Sequence, residues 1–148
     1  MVVTVVPVRE EDVEGLYDAL DVVCKECKFF PLTKAPPLEI IRQYTISAIA
    51  SGGTNFVALN NSQVVGWCDI YVNQKEGYQH SGDLGMGLLA KYRGQGIGTQ
   101  LLHATLCRAK ELGLERIELE VLESNIPAIT LYEKVGFRME GEKVSVNP

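Results

Sequence analysis

The feature of this sequence that most limits its fold is the stretch Y-R-G-Q-G-I-G-T-Q-L-L at residues 92–102, which holds three glycines within five residues. Glycine lets the backbone approach a ligand closely or adopt a positive φ at little steric cost. The segment before it (83–90) has the composition of a strand, and the apolar periodicity after it predicts a helix to about Leu112. The first turn of such a helix has unpaired N–H groups and a partial positive charge. With Arg93 and Thr99 beside the glycines, the stretch predicts a pyrophosphate site.

The spacing of these glycines excludes two common nucleotide-binding loops. The triphosphate-binding loop needs Gly-Lys-Ser/Thr after its first glycine, and the dinucleotide fingerprint needs G-x-G-x-x-G. Here the glycines read G-Q-G-I-G-T, which fits neither pattern. What remains is Arg-x-x-Gly-x-Gly, beginning at Arg93. The alternative is a glycine-rich turn that only connects a strand to a helix.

The composition is that of one globular domain. The chain has 148 residues, of which 46% are hydrophobic and 22% are charged, with a net charge of −5. The negative charge argues against a broad nucleic-acid surface, which would be basic. The beginning of the sequence lacks the pattern of a signal peptide, and no apolar run approaches the roughly 18 residues of a membrane span. We therefore expect a cytoplasmic protein without a membrane partner, whose four cysteines are reduced.

Hydrophobic periodicity and turn residues predict ten elements in the order β-α-α-β-β-β-α-β-α-β. The strands are predicted at 2–8, 54–60, 63–72, 83–90, 115–123 and 137–146, and the helices at 9–26, 38–50, from the glycine stretch to about 112, and at 125–136. Because hairpin and crossover connections alternate, the predicted fold class is α/β with a mixed sheet covered by helices. The chain shows no repeat and no second domain.

Two motifs together resemble one family. Y-R-G-Q-G-I-G-T-Q-L-L looks like the acetyl-coenzyme A loop of the GNAT superfamily of N-acetyltransferases. N-I-P-A-I-T-L-Y-E-K-V-G-F at residues 125–137 looks like the second signature of that family. The spacing of the motifs and the order of the elements also match, over nearly the whole chain. The resemblance implies a single GNAT-like domain over residues 1–148, with a central mixed sheet of six to seven strands flanked by four helices.

The resemblance also implies an activity and a cofactor. The chain would transfer an acetyl group from acetyl-coenzyme A to a primary amine, on either a small molecule or a protein. The alternative is a non-catalytic module that binds acetyl-coenzyme A as a sensor or scaffold. The sequence excludes a nicotinamide or nucleotide enzyme, because the glycine spacing that such an enzyme needs is missing.

By the same resemblance, the cofactor would contact three parts of the chain. Backbone N–H groups of Gln95 to Gly98, with Arg93, would bind the pyrophosphate, and the strand around Met86 to Leu88 would pair with the pantetheine arm. Family members usually carry a bulge that splays this strand from the next, and Gly85 and Gly87 suit such a bulge. The whole predicted set is Met86, Gly87, Leu88, Arg93, Gly94, Gln95, Gly96, Ile97, Gly98, Thr99, Asn125, Ala128 and Tyr132.

Acetyl transfer needs a base for the amine and an acid for the departing thiolate. Tyr132 matches the family position that often protonates the thiolate; the alternative is a ring that only packs. Asp83, on the strand before the glycine loop, is the predicted base; the alternative is an aspartate that faces solvent. His80 and Asp69 are further candidates for the base, since either could replace Asp83.

The predicted acceptor site combines aromatic and acidic residues. Its members are Phe29, Phe30, Trp67, Asp69 and Glu120, and Tyr71 could join the aromatic wall. Core packing is the alternative for the aromatic rings. Glu118 and Glu120 alternate with apolar residues, so they could attract a cationic amine or simply mark a face open to water. Cys24 and Cys27 form a C-x-x-C without a second ligand pair, so no metal site is predicted.

The resemblance also implies two strands after the last helix, and the end of the sequence is short for them. After the last predicted helix only F-R-M-E-G-E-K-V-S-V-N-P remains, which we expect to hold one strand. A sheet edge left open in this way favours association. We therefore expect a homodimer formed at or beside this end.

Overall fold

The structure is a computed structural model that describes residues 2–26, 34–72, 80–122, 124–140 and 143–146, with side chains described up to residue 138. Its strands are β1 (Thr4–Pro7), β2 (Asn55–Asn60), β3 (Gln63–Val72), β4 (Ser81–Leu88), β5 (Arg116–Glu120), β6 (Arg138–Glu140) and β7 (Lys143–Val146). Its helices are α1 (Val13–Lys25), α2 (Leu38–Ala50), α3 (Ile97–Glu111) and α4 (Ile126–Lys134). Short 3-10 turns precede α1 and the glycine loop.

The strands form one mixed sheet in the order β1-β2-β3-β4-β5-β7-β6. Neighbouring strands are antiparallel except β4 and β5, which are parallel. A parallel pair needs a crossover connection, and α3 provides it. The predicted fold class, a mixed α/β sheet with four flanking helices, is confirmed. No helix in the described ranges is long and apolar enough to cross a membrane.

The sheet is buried on both faces at its centre because α1 and α2 cover one face and α3 and α4 cover the other. Leu101 and Leu102 of α3 pack with Ile117 of β5 on the second face. Val13 and Val23 of α1 pack with Trp67 and its neighbours on the first face. The two faces alternate along β3, since Trp67 belongs to one core and Cys68 to the other.

Strands β4 and β5 separate soon after they pair. Their parallel pairing covers only Ser81 to Asp83 on β4 and ends opposite Glu118. Pairing of β4 with β3, in contrast, continues to Leu88. The result is an opening between the two strands, named here the β4–β5 gap, with a cavity of about 290 Å³ lined by Asp83, Leu84, Glu118, Leu119 and Glu120.

The separation does not come from a bulge between β3 and β4. Their register runs without a shift from Gly66 opposite Leu88 to Val72 opposite Gly82, so the bulge expected at Gly85 and Gly87 is wrong for this strand pair. Position 87 is glycine for a different reason. A Cβ there would overlap the indole of Trp67 on the facing strand.

The end of the chain forms two strands, so the expectation of a single strand is wrong. Three residues suffice for β6 and four for β7, and β7 inserts between β5 and β6. The sheet therefore ends in a three-residue edge strand, and a very short edge gives another chain little to pair with. The expectation of a homodimer rests on the absence of a final strand, and that strand is present. The homodimer stays a prediction for the oligomeric state in solution.

Candidate active site

The glycine loop between β4 and α3 has the shape of an anion cradle. Gly94 and Gly96 have φ values of +75° and +84°, and nothing lies within 4 Å of a Cβ built at either position. Gly96 is the N-cap of α3, and its carbonyl accepts a hydrogen bond from the N–H of Gln100. Ile97 is buried and anchors the start of the helix. The first N–H groups of α3, including those of Gly98 and Thr99, precede any intrahelical acceptor, and the space beside Gly94 and Gly96 is open.

Arg93 lies beside this loop, where it braces two elements. Its Nε donates to the carbonyl oxygen of Leu88 at 2.9 Å. Its two terminal nitrogens donate to both carboxylate oxygens of Glu26, at 3.1 and 2.6 Å. The guanidinium therefore links the end of β4 to the end of α1, and the Glu26 carboxylate offsets its charge. These contacts favour a positioning role over the predicted direct charge on a pyrophosphate.

Asn125 and Ala128 shape the start of α4. The Asn125 side-chain oxygen is the N-cap acceptor for the backbone N–H of Ala128, at 3.4 Å. Ala128 in turn packs against the core on the α3 and α4 face. The contact of Asn125 with a cofactor arm stays a prediction, and capping is the role that its present hydrogen bond supports.

Tyr132 of α4 lies in the same core, with only 6% of its surface exposed. Its ring meets that of Phe137 edge-on, with centroids 5.6 Å apart. Burial raises the pKa of Tyr132 well above its usual range, so the phenol is protonated at neutral pH. No hydrogen bond of the described residues involves its hydroxyl. A protonated phenol with an unused donor is the state that a general acid requires.

Four carboxylates lie on the opposite face of the sheet, where β3, β4 and β5 adjoin the β4–β5 gap. Asp83 is exposed, and its Cα partners are Tyr71 on β3 and Glu118 on β5. Glu118 is paired with Arg116 at 2.9 Å. Glu120 is exposed and Asp69 is half-buried. This end of the face is therefore acidic and would attract a cation. The role of Glu118 and Glu120 toward an amine stays a prediction.

Asp69 is the member of this group with the most unusual environment. On the sheet it lies between Asn55 of β2 and Gly85 of β4. A Cβ at position 85 would lie 3.3 Å from Oδ1 of Asp69, so the carboxylate leans over β4 where that strand has no side chain. Burial raises the pKa of Asp69 to about 7, and no ion pair of the described residues offsets it. The carboxylate can therefore exchange a proton near neutral pH.

A second cavity, named here the α2–β3 cavity, lies beside Asp69 and measures about 280 Å³. Tyr44 of α2 and Tyr71 of β3 both line it, and their rings contact each other, with centroids 5.3 Å apart and planes tilted by 47°. Asn55 also lines it, and its Oδ1 is buried without a hydrogen-bond partner among the described residues. The cavity is large enough to admit a small molecule next to Asp69.

The sequence found only part of this cavity. Asp69 and Tyr71 were predicted for the acceptor site and do line it, whereas Tyr44 and Asn55 were missed. One signal for Tyr44 was available: α2 carries apolar residues around most of its circumference, more than one buried face needs, and Ile40, Tyr44, Ile46 and Ile49 remain exposed. Asn55 had no comparable signal, because its burial depends on the packing of α2 above it.

Other predicted acceptor residues lie elsewhere. Trp67 is buried in the core beneath α1, where its indole covers Gly87, so the alternative of core packing is correct for this ring. Phe29, Phe30 and Cys27 lie outside the described residues. Cys24 and Cys68 are buried, whereas Cys107 is exposed.

A family profile described as the acetyltransferase (GNAT) family matches residues 18–137. The chain is 33% identical over 91 residues to the L-amino acid N-acetyltransferase AaaT of Escherichia coli (strain K12), a match that covers 61% of this chain and 56% of that protein. It is 36% identical over 84 residues to N-alpha-acetyltransferase 30 of Schizosaccharomyces pombe, with 56% of each chain covered. The chain thus spans about half the length of the curated relatives that it matches.

Solved structures share the fold along the whole chain. An acetyltransferase of the GNAT family from Streptococcus pneumoniae superposes with a TM-score of 0.91 at 22% identity, covering 99% of this chain and 100% of that chain. A phosphinothricin acetyltransferase from Sinorhizobium meliloti, solved in complex with acetyl-coenzyme A, superposes with a TM-score of 0.89 at 16% identity, covering 99% and 89%. At these identities the likeness shows the fold alone.

Proposed function

The chain belongs to the GNAT acetyltransferase family, and from this membership we propose that it transfers the acetyl group of acetyl-coenzyme A to the nitrogen of a primary amine. The observation that carries the proposal is the β4–β5 gap. It opens beside a strand that runs into the glycine loop, with Tyr132 in the core on one face of the sheet and Asp69 on the other.

The backbone of this chain would hold the cofactor. The N–H groups of Gln95 to Gly98 would bind the pyrophosphate, because the space beside Gly94 and Gly96 is open and the α3 dipole favours an anion. The edge of β4 around Met86, which β5 leaves unpaired, would hydrogen-bond to the pantetheine amides as an added strand does. When bound there, acetyl-coenzyme A supplies the acetyl group as a reactive thioester.

Asp69 and Tyr132 would divide the proton transfers between the two faces. Asp69 would take the proton that the amine must lose as its nitrogen bonds to the acetyl carbon. Tyr132, which burial keeps protonated, would donate its proton to the sulfur as the carbon–sulfur bond breaks. The products are an amide and a free thiol, and solvent returns one proton from Asp69 to Tyr132. Asp83, the base expected from the sequence, is exposed, so its role would be to attract the ammonium group.

Thiol release from acetyl-coenzyme A with a panel of primary amines tests this proposal. We expect thiol release to require an amine, and mass spectrometry to find the N-acetylated amine in equal amount. Tyr132→Phe keeps the ring packed against Phe137 and removes only the hydroxyl, so kcat should fall about 100-fold. Tyr17→Phe, on α1, is the matched control and should leave the rate unchanged.

Two results would count against the proposal. Unchanged kcat in Tyr132→Phe would remove the general-acid role from this residue. Tight binding of acetyl-coenzyme A in a calorimeter, together with no thiol release from any amine, would support a sensor or scaffold in place of an enzyme.

A further inference from the structure

We propose that the α2–β3 cavity binds the acceptor and selects a small primary amine that carries an aromatic ring and no carboxylate. This inference rests on the proposed acetyl transfer and specifies its substrate class. Four properties of the cavity carry it: its charge, an unpaired acceptor atom, an aromatic wall, and its position relative to β4.

The charge of the cavity favours a cation and disfavours a carboxylate. Asp69 lines the cavity, and Asp83 lies two positions along β4 from Gly85, the strand partner of Asp69. Among the described residues that line the cavity, none is a lysine or an arginine. An amine that also carries a carboxylate would place that group near Asp69, in a cavity whose described lining offers no cation to pair it. An unpaired charge in a partly dry site is unfavourable.

Asn55 provides an acceptor that the fold itself does not use. Its Oδ1 is the one fully buried side-chain polar atom that lacks a partner in the described part of the chain. Buried polar atoms are nearly always hydrogen-bonded, so this exception calls for an explanation. Asn55 is the strand partner of Asp69. An ammonium group between them could donate one hydrogen bond to Oδ1 of Asn55 and another to the Asp69 carboxylate.

Two tyrosines form the remaining wall of the cavity. Tyr44 and Tyr71 are 50% and 49% exposed, although each is a large aromatic residue in a regular element. Their rings are 5.3 Å apart and tilted, and both line the cavity. A ligand ring would stack there and cover apolar surface that now meets water. The volume of about 280 Å³ suits a small amine.

The cavity is also positioned for transfer. The Asp69 carboxylate leans over Gly85, two residues beyond the point where β4 and β5 part. An amine held by Asp69 would therefore approach the acetyl carbon from the α1 and α2 face. Asp69 takes one proton from the ammonium group, so that the neutral nitrogen can form the new bond to that carbon. The nitrogen then loses its second proton to solvent, and the carbon–sulfur bond breaks with the sulfur taking the Tyr132 proton.

Tyramine and tyrosine give the sharpest test, because they differ only by the carboxylate. We expect kcat/KM for tyramine to exceed that for tyrosine at least tenfold. Tyr44→Ala, on an exposed helix face, should lower kcat/KM for tyramine about tenfold and for propylamine less than about twofold. Asp69→Asn should weaken tyramine binding, measured by calorimetry, about tenfold or more. Glu39→Gln, which removes an exposed carboxylate of α2, should leave tyramine binding unchanged.

The outcomes separate this inference from the proposed function. If the protein acetylates tyrosine at least as fast as tyramine, the proposed selection against a carboxylate is wrong. If it prefers a peptide N-terminus to both, the proposed selection of a small amine is wrong. Either result leaves the proposed acetyl transfer unaffected. Tyramine binding that depends on Asp69 and Tyr44, without acetylation of any amine, would support the cavity assignment and overturn the proposed enzyme. Equal tyramine binding by the wild type, Asp69→Asn and Tyr44→Ala would exclude this cavity.

Discussion

The two halves of the candidate site are built in different ways. The donor side, formed by the glycine loop and the β4 edge, consists of consecutive backbone that needs glycine at Gly94 and Gly96. The acceptor side, the α2–β3 cavity, consists of side chains from α2, β2 and β3, which packing brings together. A backbone site leaves a motif in the sequence, whereas a site made of side chains from separate elements leaves none. The two sides meet at Gly85, where the Asp69 carboxylate lies over β4.

Because the two sides use different atoms, substitutions should separate their functions. A change on the donor side should weaken acetyl-coenzyme A binding and leave amine binding intact. A change on the acceptor side should do the reverse. The following predictions test this separation in order of decreasing effect.

Asp69→Asn should produce the largest effect on turnover. Without a base, kcat/KM for the amine should fall about 1000-fold, while the Kd for acetyl-coenzyme A stays within about threefold of the wild type. Steady-state kinetics and calorimetry measure the two quantities. A comparable loss of acetyl-coenzyme A affinity would break the distinction between the two sides.

The same residue predicts opposite pH effects on activity and stability. The pKa of Asp69 is about 7 in the folded protein against an ordinary value of 3.8, with Tyr44 of α2, Tyr71 of β3 and Asp83 of β4 facing it. Activity should rise with pH through about 7, as the carboxylate loses its proton. The folded state binds the extra proton, so stability should fall as the pH rises from about 4 to about 7. The increase in Tm caused by Asp69→Asn should therefore be larger when measured above pH 7 than when measured at pH 4. Equal increases in Tm at the two pH values would contradict the assigned pKa.

Gly96→Ala should have the next largest effect, and it should change only cofactor binding on the donor side. A Cβ at a φ of +84° adds roughly 1–2 kcal/mol of strain and would occupy the open space in which we expect the phosphate to bind. We expect the Kd for acetyl-coenzyme A to rise about tenfold, with the amine Kd unchanged. Gly113→Ala is the matched control, since its φ is +81° and the space around it is also open. If both variants raise the Kd for acetyl-coenzyme A equally, backbone strain and not the loss of the phosphate site explains the effect.

Asn55→Leu should improve stability while impairing the acceptor side. Replacing a buried acceptor that has no partner removes an unfavourable desolvation of about 1 kcal/mol, which should raise Tm by about 2–4 °C. The Kd for the amine should rise about fivefold or more, because one hydrogen bond is lost. A variant that is both more stable and unchanged in amine affinity would show that Oδ1 of Asn55 does not contact the acceptor.

Arg93→Gln and Glu26→Gln should give the smallest effects. Their bidentate pair is partly exposed, so we expect each variant to lower the free energy of unfolding by about 0.5–1 kcal/mol and the double variant by no more than either alone. If Arg93 is a brace, both variants should affect the Kd for acetyl-coenzyme A alike. A large loss of acetyl-coenzyme A affinity in Arg93→Gln alone would support the predicted direct contact of Arg93 with the pyrophosphate.

The sequence predicted the donor side and most elements because both depend on local properties. Gly96 marks the start of α3, and alternation along β5 places Ile117 inside and Glu118 outside. The two short C-terminal strands were missed, because three or four residues show too little periodicity to be told from one longer strand. Asp69 was one of several candidates for the base. Its neighbours Asn55 and Gly85 lie on other strands, so only the sheet register distinguishes it from Asp83.

A crystal structure with acetyl-coenzyme A bound tests the central claim most directly. We predict the pyrophosphate on the N–H groups of Gln95 to Gly98, the pantetheine arm in the β4–β5 gap, and the acetyl carbon between Tyr132 and Asp69. The α2–β3 cavity should stay open to the acetyl group. A cofactor bound outside the gap, or an acetyl group that Gly85 and β4 separate from Asp69, would contradict the account.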